Sequence, residues 1–159
     1  MPKKILIVED DIEMVELLRF KLKTEGYALG TATNGIEALK KARSIRPDLI
    51  LLDLMLPELD GFAVCDILRR DAKTASVPII MLTAMSSQIA RLTGLDAGAN
   101  VYITKPFSHE YLRQCIQALL QKIPETAHQV NHEANQKQIG CADPTPATLA
   151  GETRAALAE

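Results

Sequence analysis

Five polar side chains stand just after apolar runs of this 159-residue chain: Glu9 and Asp10 after residues 5–8, Asp53 after residues 49–52, Thr83 after residues 77–82, and Lys105 after residues 101–103 and Thr104. An ionised carboxylate at the end of a buried strand is costly unless something pairs with it. Taken singly, each acid could cap a turn or a helix, and Asp11 reads that way, as an N-cap. Brought to one edge, the set is three carboxylates, one hydroxyl and one ammonium. Two carboxylates about 5 Å apart repel by roughly 3 kcal/mol at an effective dielectric of ~20. One lysine does not relieve three acids, whereas a hard divalent cation does, and Mg²⁺ suits carboxylates with water. Mg²⁺ beside a lysine and a hydroxyl is phosphate chemistry. No glycine-rich phosphate loop is present, so a bound nucleotide is not the expected ligand. Asp53 itself can be the nucleophile, forming an aspartyl phosphate.

The elements that position these groups follow from the apolar pattern. Residues 5–8 form a strand. Met14, Val15, Leu17, Leu18 and Leu22 then have helical spacing up to Gly26. Residues 27–32 form a short strand, and Asn34-Gly35 opens a helix carrying Ile36, Ala38, Leu39 and Ala42. Residues 49–52 lie between Pro47 and Pro57 and read as a strand buried on both faces. Phe62, Val64, Cys65, Ile67 and Leu68 mark a third helix, and residues 77–82 a fourth strand. Ile89, Leu92, Leu95 and Ala97 mark a fourth helix, stopped by Gly98. Residues 101–103 are the fifth strand, and Ser108 caps a fifth helix with Leu112, Ile116, Leu119 and Leu120 as its stripe. Alternating strands and helices give an α/β fold, with a five-stranded parallel sheet covered on both faces. Right-handed crossovers place every strand's carboxyl end on one edge.

Composition narrows the function classes. A formal net charge of -2 offers no footprint for direct nucleic-acid binding. Trp is absent and Phe and Tyr number three each, too few for a base-stacking platform. Cys65, Cys115 and Cys141 are odd in number and widely spaced, which excludes a disulfide or zinc framework. No apolar run has the length of a signal segment or a membrane span, so the expectation is a cytoplasmic chain. From about Pro124 the composition turns to Ala, Thr, Gln, Asn and Pro. Residues 124–159 therefore read as a polar, flexible tail or a truncated linker, with one short helical pattern at 147–159. His128, His132 and Glu133 have metal-pair spacing, for which chance is the better account in so polar a segment.

The pattern resembles the receiver domain of two-component response regulators. The residues that carry it are Glu9-Asp10, Asp53 within Asp53-Leu54-Met55-Leu56-Pro57-Glu58-Leu59-Asp60-Gly61, Thr83-Ala84, Tyr102 and Lys105-Pro106. It covers residues 3–122, so a receiver domain is expected over 1–123. The resemblance implies a flavodoxin-like (βα)5 three-layer sandwich of strand order 2-1-3-4-5. It implies that Asp53 takes a phosphoryl group from a histidine kinase or phosphotransfer protein. Asp10 and Asp53 would hold Mg²⁺ directly, with the Met55 backbone carbonyl and with Glu9 through water. Lys105 would bind a phosphoryl oxygen, and the bond to Pro106 would be cis. Thr83 and Tyr102 would be the switch residues that remodel the face made by the fourth helix, fifth strand and fifth helix, where a downstream protein or a second copy docks.

Three features add to the resemblance. Met55 and Met85 occupy positions that flank the path of hydrolytic water in this family, and neither offers a polar group. The expectation is slow self-dephosphorylation. On the output face, Arg91 is present, but Ile89, Val101, Tyr111 and Cys115 stand where the winged-helix subfamily carries paired charges. An apolar contact, for a homodimer or a partner, is expected there, or else local burial of these residues. Third, the tail is too short for a winged-helix domain, which leaves a stand-alone regulator or a truncated one. The alternative function is a Mg²⁺-dependent phosphohydrolase with an aspartyl-phosphate intermediate, although the paired first-strand aspartates of such enzymes are missing. Beyond self-phosphorylation from small phosphodonors and self-dephosphorylation, no enzyme activity is expected.

Overall fold

The computed structural model describes residues 1–121. The candidates at His128, His132, Glu133, Cys141 and 147–159 lie outside the described residues. Five strands alternate with five helices: β1 (Lys4–Val8), α1 (Ile12–Thr24), β2 (Ala28–Ala32), α2 (Gly35–Ile45), β3 (Leu49–Leu52), α3 (Gly61–Arg70), β4 (Ile79–Thr83), α4 (Gln88–Asp96), β5 (Val101–Thr104) and α5 (His109–Leu120). All neighbouring strands are parallel and the order is β2-β1-β3-β4-β5. This is the α/β architecture read from the alternating pattern, and the strand order is the one the resemblance implies.

The strands sort their side chains by period two. Leu6, Val8, Ile50, Leu52, Ile79, Met81 and Tyr102 face a layer that includes Ala38 and Ala42 of α2, Val64, Cys65 and Leu68 of α3, and Ala90 of α4. Ile5, Ile7, Leu49, Leu51, Ile80, Leu82, Val101 and Ile103 face Leu18 and Leu22 of α1 and Leu112, Ile116 and Leu119 of α5. Both faces are therefore covered, which is why β1, β3 and β4 can be apolar without alternation. Side-chain oxygens cap each helix: Asp11 for α1, Asn34 for α2, Asp60 for α3, Ser87 for α4 and Ser108 for α5.

Three details differ from the sequence pattern. Helical spacing places Leu17 and Ile36 in apolar stripes, but both are exposed at the surface. In α4 the expected stripe holds only in part: Leu95 and Ala97 pack against the core, and its first two members do not. Ile89 is 78% exposed and Leu92 55%, while Ala90 and Gly94 form the buried side. The reason is distance. A Cβ on Gly94 would lie 2.7 Å from Met81 Sδ and 2.9 Å from Tyr102 Cδ2. The helix lies too close to the sheet there for a large side chain.

Candidate functional site

β1 pairs with both β2 and β3, so successive crossovers leave in opposite directions from this pair. In open parallel sheets the crevice outside the carboxyl ends at such a point is where ligands bind. Three of the functional residues are each held there by one more rung of the ladder. Glu9 N–H donates to Ala32 O at 3.0 Å, Asp53 N–H to Val8 O at 3.0 Å, and Lys105 N–H to Thr83 O at 2.8 Å. The backbone therefore delivers these side chains in register.

Lys105 Nζ bridges the acids, donating to Glu9 Oε2 at 2.5 Å and to Asp53 Oδ2 at 3.2 Å. The other carboxylate oxygens accept from backbone amides: Glu9 Oε1 from Asp11 N at 3.1 Å, and Asp53 Oδ1 from Met55 N at 3.1 Å. Glu9 and Asp53 are buried, whereas Asp10 is exposed. One carboxylate oxygen from each of Glu9, Asp10 and Asp53 falls in a group whose members all lie within 4.8 Å of one another. Burial pushes the Glu9 carboxyl up to about 7, against the hydrogen bond from Lys105, and the Asp53 charge adds to the rise. Burial works against the Lys105 ammonium, but the bond to Glu9 and the charges of Asp53 and Glu9 outweigh it and raise its pKa. The site thus carries more negative charge than its one lysine neutralises.

That imbalance tests whether a divalent cation fits. The donors are hard oxygens, closely grouped, with one exposed member open to solvent. This is the donor chemistry that Mg²⁺ accepts.

The loop between Asp53 and α3 closes tightly over the site. Gly61 N–H donates to Leu54 O at 3.0 Å, and a Cβ on Gly61 would lie 2.4 Å from Asp53 O. Only glycine lets α3 begin this close to the acid. The bond between Lys105 and Pro106 is cis.

Thr83 is fully buried at the end of β4, and its Oγ1 accepts from Met85 N at 3.3 Å. Tyr102 faces inward, 1% exposed, and its hydroxyl donates to Met85 O at 2.7 Å. Burial raises the Tyr102 phenol pKa. The Arg91 guanidinium carbon lies 5.8 Å from the Tyr102 ring centroid, within cation–π range. Thus Glu9, Asp10, Asp53, Thr83 and Lys105 meet at one edge, and Tyr102 and Arg91 sit behind Thr83.

The residues named for the output face divide. Ile89 is exposed, Tyr111 and Cys115 are half-buried, and Val101 is 6% exposed. Val101 does not belong to a surface contact, because its side chain points from β5 into the layer under α5. Leu92, which helical spacing places in the core, is exposed and takes its place on the outward side of α4. Gly94, the seat of the Tyr102 ring, also went unnoticed, although its four-residue spacing from Ala90 is a small-residue signal. None of the described helices is long and apolar enough to cross a membrane.

Comparison with known proteins agrees with this geometry. The family model described as the response regulator receiver domain matches residues 5–117. RpaA of Synechocystis sp., a DNA-binding dual master transcriptional regulator, is 44% identical over 127 residues, 78% of this chain and 53% of that protein. The Bacillus subtilis alkaline phosphatase synthesis transcriptional regulatory protein PhoP is 41% identical over 145 residues, 90% of this chain and 60% of that protein. The chain therefore spans about half the length of these curated relatives. Among solved structures, the receiver domain of sensor histidine kinase PA1611 from Pseudomonas aeruginosa superposes with a TM-score of 0.72 at 34% identity, covering 77% of this chain and 100% of that one. That structure has a magnesium ion coordinated in its active site cleft. The Vibrio cholerae chemotaxis regulator CheY4 matches with a TM-score of 0.71 at 33% identity, covering 76% and 100% of the two chains. On sequence, fold and the acids at its carboxyl edge, the chain belongs to the response regulator receiver domain family of two-component systems.

Proposed function

We propose that this receiver works as a phosphorylation-controlled switch in which Asp53 accepts a phosphoryl group from a phosphohistidine. The observation that carries the reading is the closely grouped Glu9, Asp10 and Asp53 carboxylates, with the Lys105 ammonium 3.2 Å from Asp53. In the transfer an Asp53 oxygen attacks phosphorus, the phosphorus–nitrogen bond breaks, and imidazole leaves. Asp10, Asp53 and the Met55 carbonyl would hold Mg²⁺ directly, with Glu9 acting through water. Bound there, the ion offsets charge on phosphoryl oxygens. Lys105 pairs with one phosphoryl oxygen and Thr83 donates its hydroxyl to another.

Movement of Thr83 toward the phosphoryl group removes the hydroxyl from Met85 N, beside the carbonyl that holds Tyr102. The signal then passes into α4 as a shift between two arrangements. Ile89 and Leu92 on the outer side of α4 supply the apolar contact for a downstream protein or a second copy of the chain. Ile12 and Phe20 are 74% and 71% exposed on α1, whose first turn follows Asp10 and Asp11. A histidine kinase or phosphotransfer protein reaching Asp53 covers that side. Such a donor places the chain in the cytoplasm.

The test is intact mass after incubation with Mg²⁺ and acetyl phosphate. One added phosphoryl group is expected on the wild type, and none on Asp53→Ala or after chelation of the metal. No adduct on folded wild-type protein would overturn the reading. The phosphoryl group should also leave slowly, because Met55 and Met85 give attacking water no polar side-chain group to orient it. Met85→Glu and Met55→Asn are expected to speed its release severalfold in a phosphate-release assay, whereas unchanged rates in both would remove this part of the proposal.

A further inference from the structure

Met55 and Met85 are the exposed apolar side chains of the two loops that leave β3 and β4, at 60% and 36% exposure. Their backbones hold the working groups of the site. Met55 N–H grips Asp53 Oδ1, Met85 N–H grips Thr83 Oγ1, and Met85 O receives the Tyr102 hydroxyl. Of the other methionines, Met81 is fully buried in β4, Met14 is half-buried in α1, and Met1 is the amino terminus, remote in sequence from both loops. Solvent-exposed thioethers are therefore placed two residues after the phosphoacceptor and two residues after its switch hydroxyl.

We propose that Met55 and Met85 form an oxidative modification site at the rim of the phosphoacceptor, taking an oxygen atom from a hydroperoxide and thereby shortening the life of the phosphoryl group on Asp53. The step balances. The peroxide O–O bond breaks, one oxygen bonds to sulfur, the sulfur loses two electrons, and the other oxygen leaves as water from hydrogen peroxide or as an alcohol from an organic peroxide. The product is a sulfoxide, a polar group with a strong acceptor oxygen, where a flexible apolar side chain had been. Its oxygen can hold and orient a water beside the acyl phosphate, which the thioether does not do.

The described cysteines do not compete well. The thiolate is the reactive form. Cys65 is buried and its thiol is pushed up to about 11, and burial also raises the Cys115 thiol.

The inference rests on the phosphoacceptor reading, and the two can fail separately. The protein is treated with hydrogen peroxide, then with dithiothreitol to return reversible cysteine products, and peptide masses locate the added oxygen. Untreated and treated samples are then loaded with acetyl phosphate and Mg²⁺, and phosphate release is followed. Met55 and Met85 are expected to gain oxygen well before Met81, with release severalfold faster. Methionine sulfoxide reductase should restore the slow rate. The double variant Met55→Leu, Met85→Leu should release phosphate at one rate whether or not it has met peroxide. Oxidation at both residues with an unchanged release rate would overturn the inference, as would a failure of either to oxidise before Met81. An untreated protein that takes up no phosphoryl group would overturn the underlying reading instead, since the oxygen map does not depend on it.

Discussion

Helices α4 and α5 lie on opposite faces of the sheet at β5, and they are held there by different means. α5 is 12 residues long and buries Leu112, Ile116 and Leu119 against β1, β3, β4 and β5. α4 has nine residues and buries Ala90 and Gly94, while Ile89 and Leu92 face outward. Burying one Leu or Ile side chain contributes about 1.5–3 kcal/mol. Three such residues fix α5 firmly, whereas an alanine, a glycine and the half-buried Leu95 add less. The difference teaches which element a phosphoryl group can move. α4 starts five residues after Thr83, sits on Tyr102 by close approach, and is the helix that can shift at low cost. α5 is the frame against which that shift is read.

The largest expected effect tests the frame. Leu112→Ala should cost ~2–5 kcal/mol in urea unfolding, because it opens a cavity among fully buried neighbours. An effect below the lower end would mean that α5 is as loosely held as α4, and the contrast would be lost.

The next effect tests the close approach. Gly94→Val should cost ~1–3 kcal/mol by overpacking against Met81 and Tyr102. The Tyr102 ring should be driven outward in the same variant. Burial holds its phenol above the ordinary tyrosine value, so release to solvent should bring its titration down. Ultraviolet titration against Tyr102→Phe reads this directly. A well-folded Gly94→Val protein with an unchanged Tyr102 titration would show that glycine is not what seats the ring.

The smallest effect is on the outward side of α4. Ile89→Asp should change stability by no more than about 0.5 kcal/mol, as expected for an exposed position. It should nevertheless abolish binding of the downstream partner, or phosphorylation-dependent self-association measured by sizing. A large loss of stability would place Ile89 in the core and remove α4 from the output face.

The site was legible in the sequence to a greater degree than its surroundings. Asp53 follows Leu49–Leu52 and Glu9 follows Lys4–Val8, and a polar residue that ends a buried run is conspicuous in any order of reading. The helical spacing of Leu112, Ile116 and Leu119 marked the buried face of α5 for the same reason. In α4 the same rule misled. Ile89, Leu92 and Leu95 have the spacing of a core stripe, yet of these only Leu95 packs against the core, beside Ala90 and Gly94. Apolar periodicity ranks side chains by hydrophobicity, and it does not report how near a helix lies to its sheet. For Val101 the resemblance leaves open a surface contact or local burial, and the structure decides for burial, on the side of Ile103 and away from Tyr102 as strand alternation requires.

The sequence by itself determined the alternation of five strands with five helices, the edge to which Glu9, Asp10, Asp53, Thr83 and Lys105 are delivered, and the chemistry those types can do. Local pattern suffices because burial and strand period are local constraints. Only the tertiary structure decided that Lys105 bridges Glu9 and Asp53, that Tyr102 lies inward on the Met85 carbonyl, and that α4 turns Ile89 and Leu92 to solvent. Those outcomes depend on distances between strands and helices far apart in the chain, and distance is set by what every neighbour must pack against at once.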